Sequence, residues 1–296
     1  MNPPTYGELD YIRELRRRIP PTPGVLVGPG DDCAVLAPTP TQQLVTTDAL
    51  MDGVDFILAE CGPVAAGHKA MAVNLSDIAA MAGVPKYAVV SLVLPRSRDV
   101  ADGVFEGIRE VAGNYATAIV GGDTNSWDGP LVITITVIGE CGPWGPILRS
   151  GAKPGDRLVV SGPLGGSLRG RHLNPTPRLV EAHAWAATGR FTAMIDLSDG
   201  LATDLRHVCE ASGVGAELNS SKIPIHGDAE NFPGKSPFDR AFTDGEDFEL
   251  LAAIAGDDPL PPGAIEIGRC TAEQGIRLDD RPLSLRGWEH SLAVAK

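Results

Sequence analysis

The sequence predicts an α+β protein built as two lobes, and three observations predict it. The chain has 296 residues, enough for two domains at about 100–200 residues each. Short β-branched runs alternate with Ala- and Leu-rich segments of helical length in both halves. Between the halves, residues 142–146 (Gly-Pro-Trp-Gly-Pro) supply punctuation without periodicity, the mark of a connection. We therefore expect an N-terminal domain over residues 1–144 and a C-terminal α+β domain over residues 145–296.

Thr5 and Glu8 have the spacing of a capping box, and Leu9, Ile12, Leu15 and Ile19 then recur at helical intervals up to Pro20. Arg16-Arg17-Arg18 falls mostly on the opposite face and reads as solvated. Residues 33–36 and 44–47 read as short strands set off by Gly and Pro. Residues 64–81 are rich in Ala, Met and Leu and end near Gly83 and Pro85, which predicts a largely buried helix. A buried strand follows over 87–94, a helix over 100–112, a short strand over 118–120 that stops at Gly121-Gly122, and a longer strand over 131–139. In the second half, 157–160, 194–197, 248–254 and 264–268 read as strands, and 178–187 and 201–212 as helices. Residues 223–239, with Pro224, Gly227, Pro233, Gly234 and Pro237, read as a long loop.

Composition narrows the function classes. With 25 Lys+Arg against 38 Asp+Glu the net charge is −13, a field that repels nucleic acid and anionic bilayers. The five cysteines show no C-x-x-C spacing and their odd number suits reduced thiols rather than a disulfide framework. Residues 1–8 are polar and Pro-rich where a signal peptide needs an apolar core, and no stretch approaches 18 uninterrupted apolar residues. The expectation is a cytoplasmic protein with neither a membrane nor a nucleic-acid partner.

The common nucleotide motifs are absent. Gly234-Lys235-Ser236 has the tail of a P-loop, but Ala229 occupies its first glycine position and Pro237 follows. Gly28-Pro29-Gly30 leads into two acids and a β-like run instead of opening a helix. What stands out is a series of aspartates at element ends: Asp31 and Asp32, Asp48, Asp77 on the Ala-rich helix, Asp123 after two glycines, and Asp196 with Asp199. Singly, an Asp beside Gly is also a turn or a helix cap. Together in one cleft they need cations, and Mg²⁺ suits them because it takes hard oxygen ligands and bridges carboxylates to phosphates.

These residues resemble the thiamine-monophosphate kinase family, within the superfamily that also holds aminoimidazole ribonucleotide synthetase. Seven blocks carry the resemblance in order: Gly28-Pro29-Gly30-Asp31-Asp32, Thr46-Thr47-Asp48, Lys69 through Asp77, Gly121-Gly122-Asp123-Thr124, Arg149-Ser150-Gly151-Ala152, Asp196-Leu197-Ser198-Asp199-Gly200, and Gly245-Glu246-Asp247-Phe248-Glu249-Leu250. The resemblance implies two α/β lobes of the aminoimidazole ribonucleotide synthetase-like type, with N-terminal lobes paired in a homodimer. It implies that Asp32, Thr46, Thr47, Asp48, Asp77, Asp123, Asp196 and Asp199 bind Mg²⁺, and that Gly122, Asp123, Arg149 and Ser198 meet ATP, with Asp123 and Arg149 catalytic. It places Glu246 and Trp288 in the thiamine monophosphate pocket together with Asp55, which stands where the family usually has His. The implied activity is ATP-dependent phosphorylation of thiamine monophosphate to thiamine diphosphate. Asp55, and Asp244 in place of a usual glycine, keep open a related enzyme with another acceptor, and a non-catalytic nucleotide-binding relative is the further alternative.

Overall fold

The computed structural model describes residues 14–28, 34–230 and 232–288. Thr5, Glu8, Leu9 and Ile12 lie outside the described residues, and so does Asp32. The chain divides into two compact units, Met1–Leu75 with Pro85–Glu140, and Ser76–Val84 with Cys141–Lys296. No helix among the described residues is long and apolar enough to cross a membrane.

In the first unit, residues 14–18 are helical. Strands β1 (Val25–Val27) and β2 (Val35–Leu36) pair antiparallel. A four-stranded sheet follows, made of β3 (Gln43–Met51), β4 (Gly83–Pro95), β5 (Ala118–Trp127) and β6 (Val132–Cys141) in the order β3-β6-β4-β5. Along β6 burial alternates strictly, with Ile133, Ile135 and Val137 inward, as period-2 side chains on a half-covered sheet require. The expected strand over 118–120 does not stop at the glycines. β5 runs on as β4's parallel partner past a register shift between Ala88 and Val89, and Gly122 permits the close approach, since a Cβ there would come within 2.0 Å of the Val90 carbonyl oxygen. The bare glycine thus serves strand against strand rather than opening a turn.

Helix α1 (Leu58–Ala80) breaks at Gly62 (φ 76°, ψ 165°) and restarts at Pro63, whose fixed φ suits a first helical position. Beyond the break it is buried on nearly every side from Lys69 to Ala80, with only Asp77 half-exposed. Helix α2 (Arg98–Asn114) is capped by Ser97, whose hydroxyl accepts the Val100 N–H, and turns Ala101, Val104, Phe105, Ile108, Val111 and Ala112 inward. The two helices cross backbone to backbone. A Cβ on Gly67 would lie 2.2 Å from the Val104 oxygen, and one on Gly107 would lie 2.1 Å from the Val64 oxygen.

The second unit is a seven-stranded sheet with helices packed on it. Its strands are β7 (Arg157–Val160), β8 (Phe191–Asp196), β9 (Gly215–Leu218), β10 (Leu250–Ile254), β11 (Ile265–Thr271), β12 (Ile276–Leu278) and β13 (Arg281–Pro282), ordered β13-β12-β9-β11-β7-β10-β8. Only β12 and β9 run parallel. Every residue of the inner strands β7 and β10 is buried, which is why they read as continuous runs instead of alternating ones. The helices are α3 (Leu179–Ala186), α4 (Leu201–Ser212) and α5 (Pro237–Thr243). Leu201, Leu205 and Val208 of α4 pack with Phe242 and Leu251, and Leu283 and Leu285 lie against the same core. Pro237, read as loop punctuation, opens α5 at its first turn behind the cap Ser236, so the expected loop over 223–239 ends in a helix. Segment Ser76–Val84 is sewn into this unit by hydrogen bonds from Ser76 to Asp196, Ile147 N–H to Met81, Trp144 to Ala82, and His183 to Gly83.

Candidate active site

The second unit brings several expected residues together at one end of its sheet. β8 ends at Asp196, α4 begins at Leu201, and residues 197–200 turn the corner between them. Asp196 is buried and accepts the Ser76 hydroxyl at 2.6 Å, with half-buried Asp77 next in the chain. The corner needs Gly200, at φ 101°, where a Cβ would press within 2.8 Å of the Phe242 oxygen. Asp204, in the first turn of α4, accepts the N–H groups of Asp199 (3.1 Å) and Gly200 (3.0 Å) on a single carboxylate oxygen. Burial, followed by the nearby charges of Asp196 and Asp199, pushes the Asp204 carboxyl up to about 8. Asp199, Asp204 and His207 each offer one ligand atom, all within 4.8 Å of one another. Three ligand atoms this close, two carboxylate oxygens and an imidazole nitrogen, can hold a divalent cation.

A second acidic loop lies against the first. Glu246 donates its N–H to Ser198 O at 2.7 Å, Phe248 to Leu197 O at 2.9 Å, and Leu197 to Glu249 O at 2.8 Å. β8 and β10 continue the pairing, with Leu250 opposite Asp196. Glu246 (φ 52°) and Phe248 (φ 51°) both sit in the left-handed region, a cost of about 1–3 kcal/mol each that surrounding structure must hold. The acids of this loop separate by burial. Asp244 accepts from Arg240, Lys235 and the Gly166 N–H. Asp247 accepts from the Gly165 N–H and Arg171, and Glu249 accepts from Ser161 and Arg178. These three are interior struts, and Glu246 alone of the four is not buried. Trp288 arrives from the C-terminal segment, its main-chain N–H on Asp199 O at 2.9 Å and the residue 57% exposed.

Arg149 is not brought to this corner within the unit. Its carbonyl accepts the Ser212 hydroxyl, which also receives the Gly151 and Ala152 N–H groups. Ser212 ends α4, and the 12 residues of that helix span about 18 Å from the acidic corner.

In the first unit, β3 presents Thr46 and Asp48 on the face of buried Leu44 and Leu50, and Thr47 on the other. The Thr47 hydroxyl donates to Ile135 O and accepts from Thr136. Gly122 and Asp123 are exposed on β5, at the opposite edge of the sheet from β3, three strand spacings or about 14 Å away. Asp55 closes its own loop, its carboxylate accepting the Met51 N–H at 2.7 Å while its carbonyl takes the buried Lys69 ammonium. Asp204 and His207 were absent from the sequence reading. Asp204's signal was available, since an acid in a helix's first turn, five residues after Asp199, faces the preceding loop.

Fold and site together define an AIR synthase-related protein. Residues 30–141 match the family model described as AIR synthase related protein, N-terminal domain. A thiamine-monophosphate kinase of Rhodopirellula baltica is 44% identical over 265 residues, covering 85% of this chain and 83% of that protein. The crystal structure of thiamine-monophosphate kinase from Stenotrophomonas maltophilia K279a is similar with a TM-score of 0.79 at 31% identity, over 93% of this chain and 96% of that one. The structure of AaThiL complexed with AMPPCP and TMP is similar with a TM-score of 0.77 at 30% identity, over 98% and 99% of the two chains. The chain belongs to the thiamine-monophosphate kinase family.

Proposed function

We propose that the protein transfers the γ-phosphoryl group of ATP to thiamine monophosphate, giving thiamine diphosphate and ADP in one in-line step. The observation that carries the reading is the junction of loops 196–200 and 245–249 beside Trp288, in a chain of this family. The acceptor oxygen belongs to a phosphate already anionic at neutral pH, so no side chain has to withdraw a proton. It bonds to the γ-phosphorus as the bond to the ADP oxygen breaks, and the difficulty is repulsion between two polyanions. Mg²⁺ supplies charge neutralisation and alignment of the phosphates when bound. On this reading its ligands are Asp77, Asp196 and Asp199, with Asp32, Thr46, Asp48 and Asp123. Thr47 is assigned with them, its hydroxyl also donating to Ile135 O and accepting from Thr136. Gly122, Asp123, Arg149 and Ser198 hold ATP, with Asp123 and Arg149 at the transferring group. The thiazolium cation of the acceptor rests on the Trp288 ring near Glu246, by cation–π attraction and charge pairing. Asp55 of the first unit is the third residue assigned to the acceptor in this reading.

In this account the first unit, which spans 1–75 with 85–140 rather than 1–144, contributes Asp32, Thr46, Thr47, Asp48, Gly122 and Asp123 to ATP and Mg²⁺ binding and pairs in a homodimer. Support comes from the sheet face that carries Val45 (68% exposed), Met51 and Thr47. The free thiols Cys61, Cys141, Cys209 and Cys270 support a cytoplasmic setting. Asp244 lends nothing to a different acceptor, because its carboxylate is spent inside the fold on Arg240, Lys235 and Gly166. The test is an assay with ATP, Mg²⁺ and thiamine monophosphate that follows thiamine diphosphate directly, with thiamine as control acceptor. Product from the monophosphate alone is the expected result. No product while Mg-ATP still binds overturns the acceptor assignment.

A further inference from the structure

The main chain of Asp199 is gripped from both sides. Its N–H is held by the Asp204 carboxylate and its C=O by the Trp288 N–H at 2.9 Å. The neighbouring residue on α4, Thr203, takes the N–H of Gly287 on its hydroxyl at 3.0 Å. Gly287 itself has no room to move closer or to carry a side chain, since a Cβ there would lie 1.9 Å from Asp199 O and 2.9 Å from the Thr203 hydroxyl. Upstream, Leu283 and Leu285 anchor the same segment to the core. The peptide of Asp199 therefore cannot shift without shifting the backbone under the Trp288 ring.

We propose that Thr203 and Asp204 are positioning residues that lock the acidic corner to Trp288, so that cation binding at Asp199 is transmitted to the aromatic ring that receives the acceptor. The inference rests on the cation and acceptor assignments proposed above. Thr203 acts only through Gly287, and Asp204 through the Asp199 and Gly200 peptides. This gives the order of events a physical basis: a filled cation site pre-sets the Trp288 backbone, and a disturbed clip loosens the acceptor while leaving ATP.

The test reads tryptophan emission of the full chain during titration with MgCl₂ alone, with Trp288→Phe identifying the part due to Trp288. A saturable Trp288 response is expected in the wild type. It falls at least threefold in Thr203→Val and in Gly287→Ala, and is retained in Thr203→Ser, which keeps the hydroxyl. In steady-state assays Thr203→Val raises KM for thiamine monophosphate about fivefold or more while KM for ATP changes less than twofold. A wild-type response that persists undiminished in a folded Thr203→Val protein overturns the proposal, and so does the absence of any Trp288 response in an enzyme with Mg²⁺-dependent turnover. If the Mg²⁺ response follows the clip variants but thiamine monophosphate is not phosphorylated, the coupling stands and the acceptor assignment alone fails.

Discussion

Asp123 and Asp247 show how differently two acids of similar sequence setting behave. Asp123 is exposed on β5, so Asp123→Asn leaves the thermal midpoint within about 2 °C of wild type; on the proposed mechanism it lowers kcat by about 100-fold or more, about 2.7 kcal/mol of barrier. Near wild-type turnover would remove Asp123 from the transferring group. Asp247 is buried, and burial pushes its carboxyl up to about 6 from 3.8 despite its bonds to Gly165 and Arg171. The unfolded chain then loses this proton first. Between about pH 4 and 6 the folded state holds more protons than the unfolded state, so this group's contribution to stability falls as pH rises through that window and is level above it. Asp247→Asn removes that slope, which thermal unfolding of both proteins at pH 4 to 7 measures; parallel curves would contradict the assignment. Residue pattern alone made the acids of the Gly245-to-Leu250 block look equivalent, and only the family resemblance singled out Glu246. Which of them is a strut and which faces outward depends on Arg171, Arg178 and Arg240, partners far away or without pattern, and so was not legible.

At the scale of elements, the α1–α2 crossing leaves no room for a side chain at Gly67 or Gly107. Gly107→Ala forces a methyl against the Val64 carbonyl, which is main chain and cannot rotate away, and is expected to cost about 1–3 kcal/mol. Gly113→Ala in the same helix meets nothing within 4 Å and is expected to be neutral or stabilising by up to about 1 kcal/mol. Denaturant midpoints of the two variants check the contrast, and equal midpoints would mean the helices can separate freely. Elements with a distinct internal pattern were readable: α4 by its helical period and β7 as a continuous run begin and end where those patterns do. β9, four residues of Gly-Ala-Glu-Leu, has no period to read and exists because β11 and β12 flank it. The full length of β5 was hidden because a glycine pair, of which Gly122 suits a tight inter-strand approach, looks in a string of letters like a stop.

At the scale of the molecule, pairing through the first unit's sheet predicts that Val45→Glu converts a dimer into a monomer in light-scattering measurements, with the helical spectrum unchanged. A dimer that survives the change would place the contact elsewhere. Two lobes and a net-negative surface were readable from length, punctuation and composition. The reassignment of Ser76–Val84 to the second unit was not, because α1 and β4 run without interruption through both changes of unit and nothing local marks them. That reassignment reaches into heredity as well as folding. The chain changes unit at Leu75/Ser76, Val84/Pro85 and Glu140/Cys141, so no single cut yields either unit whole. A protease that nicks 142–146 leaves an N-terminal piece still carrying a segment that belongs with Ile147, His183 and Asp196. By the same logic, exchanging halves between relatives at that Gly/Pro break would graft a foreign 76–84 segment under the recipient's Asp196, so viable hybrids require that segment to travel with the second half.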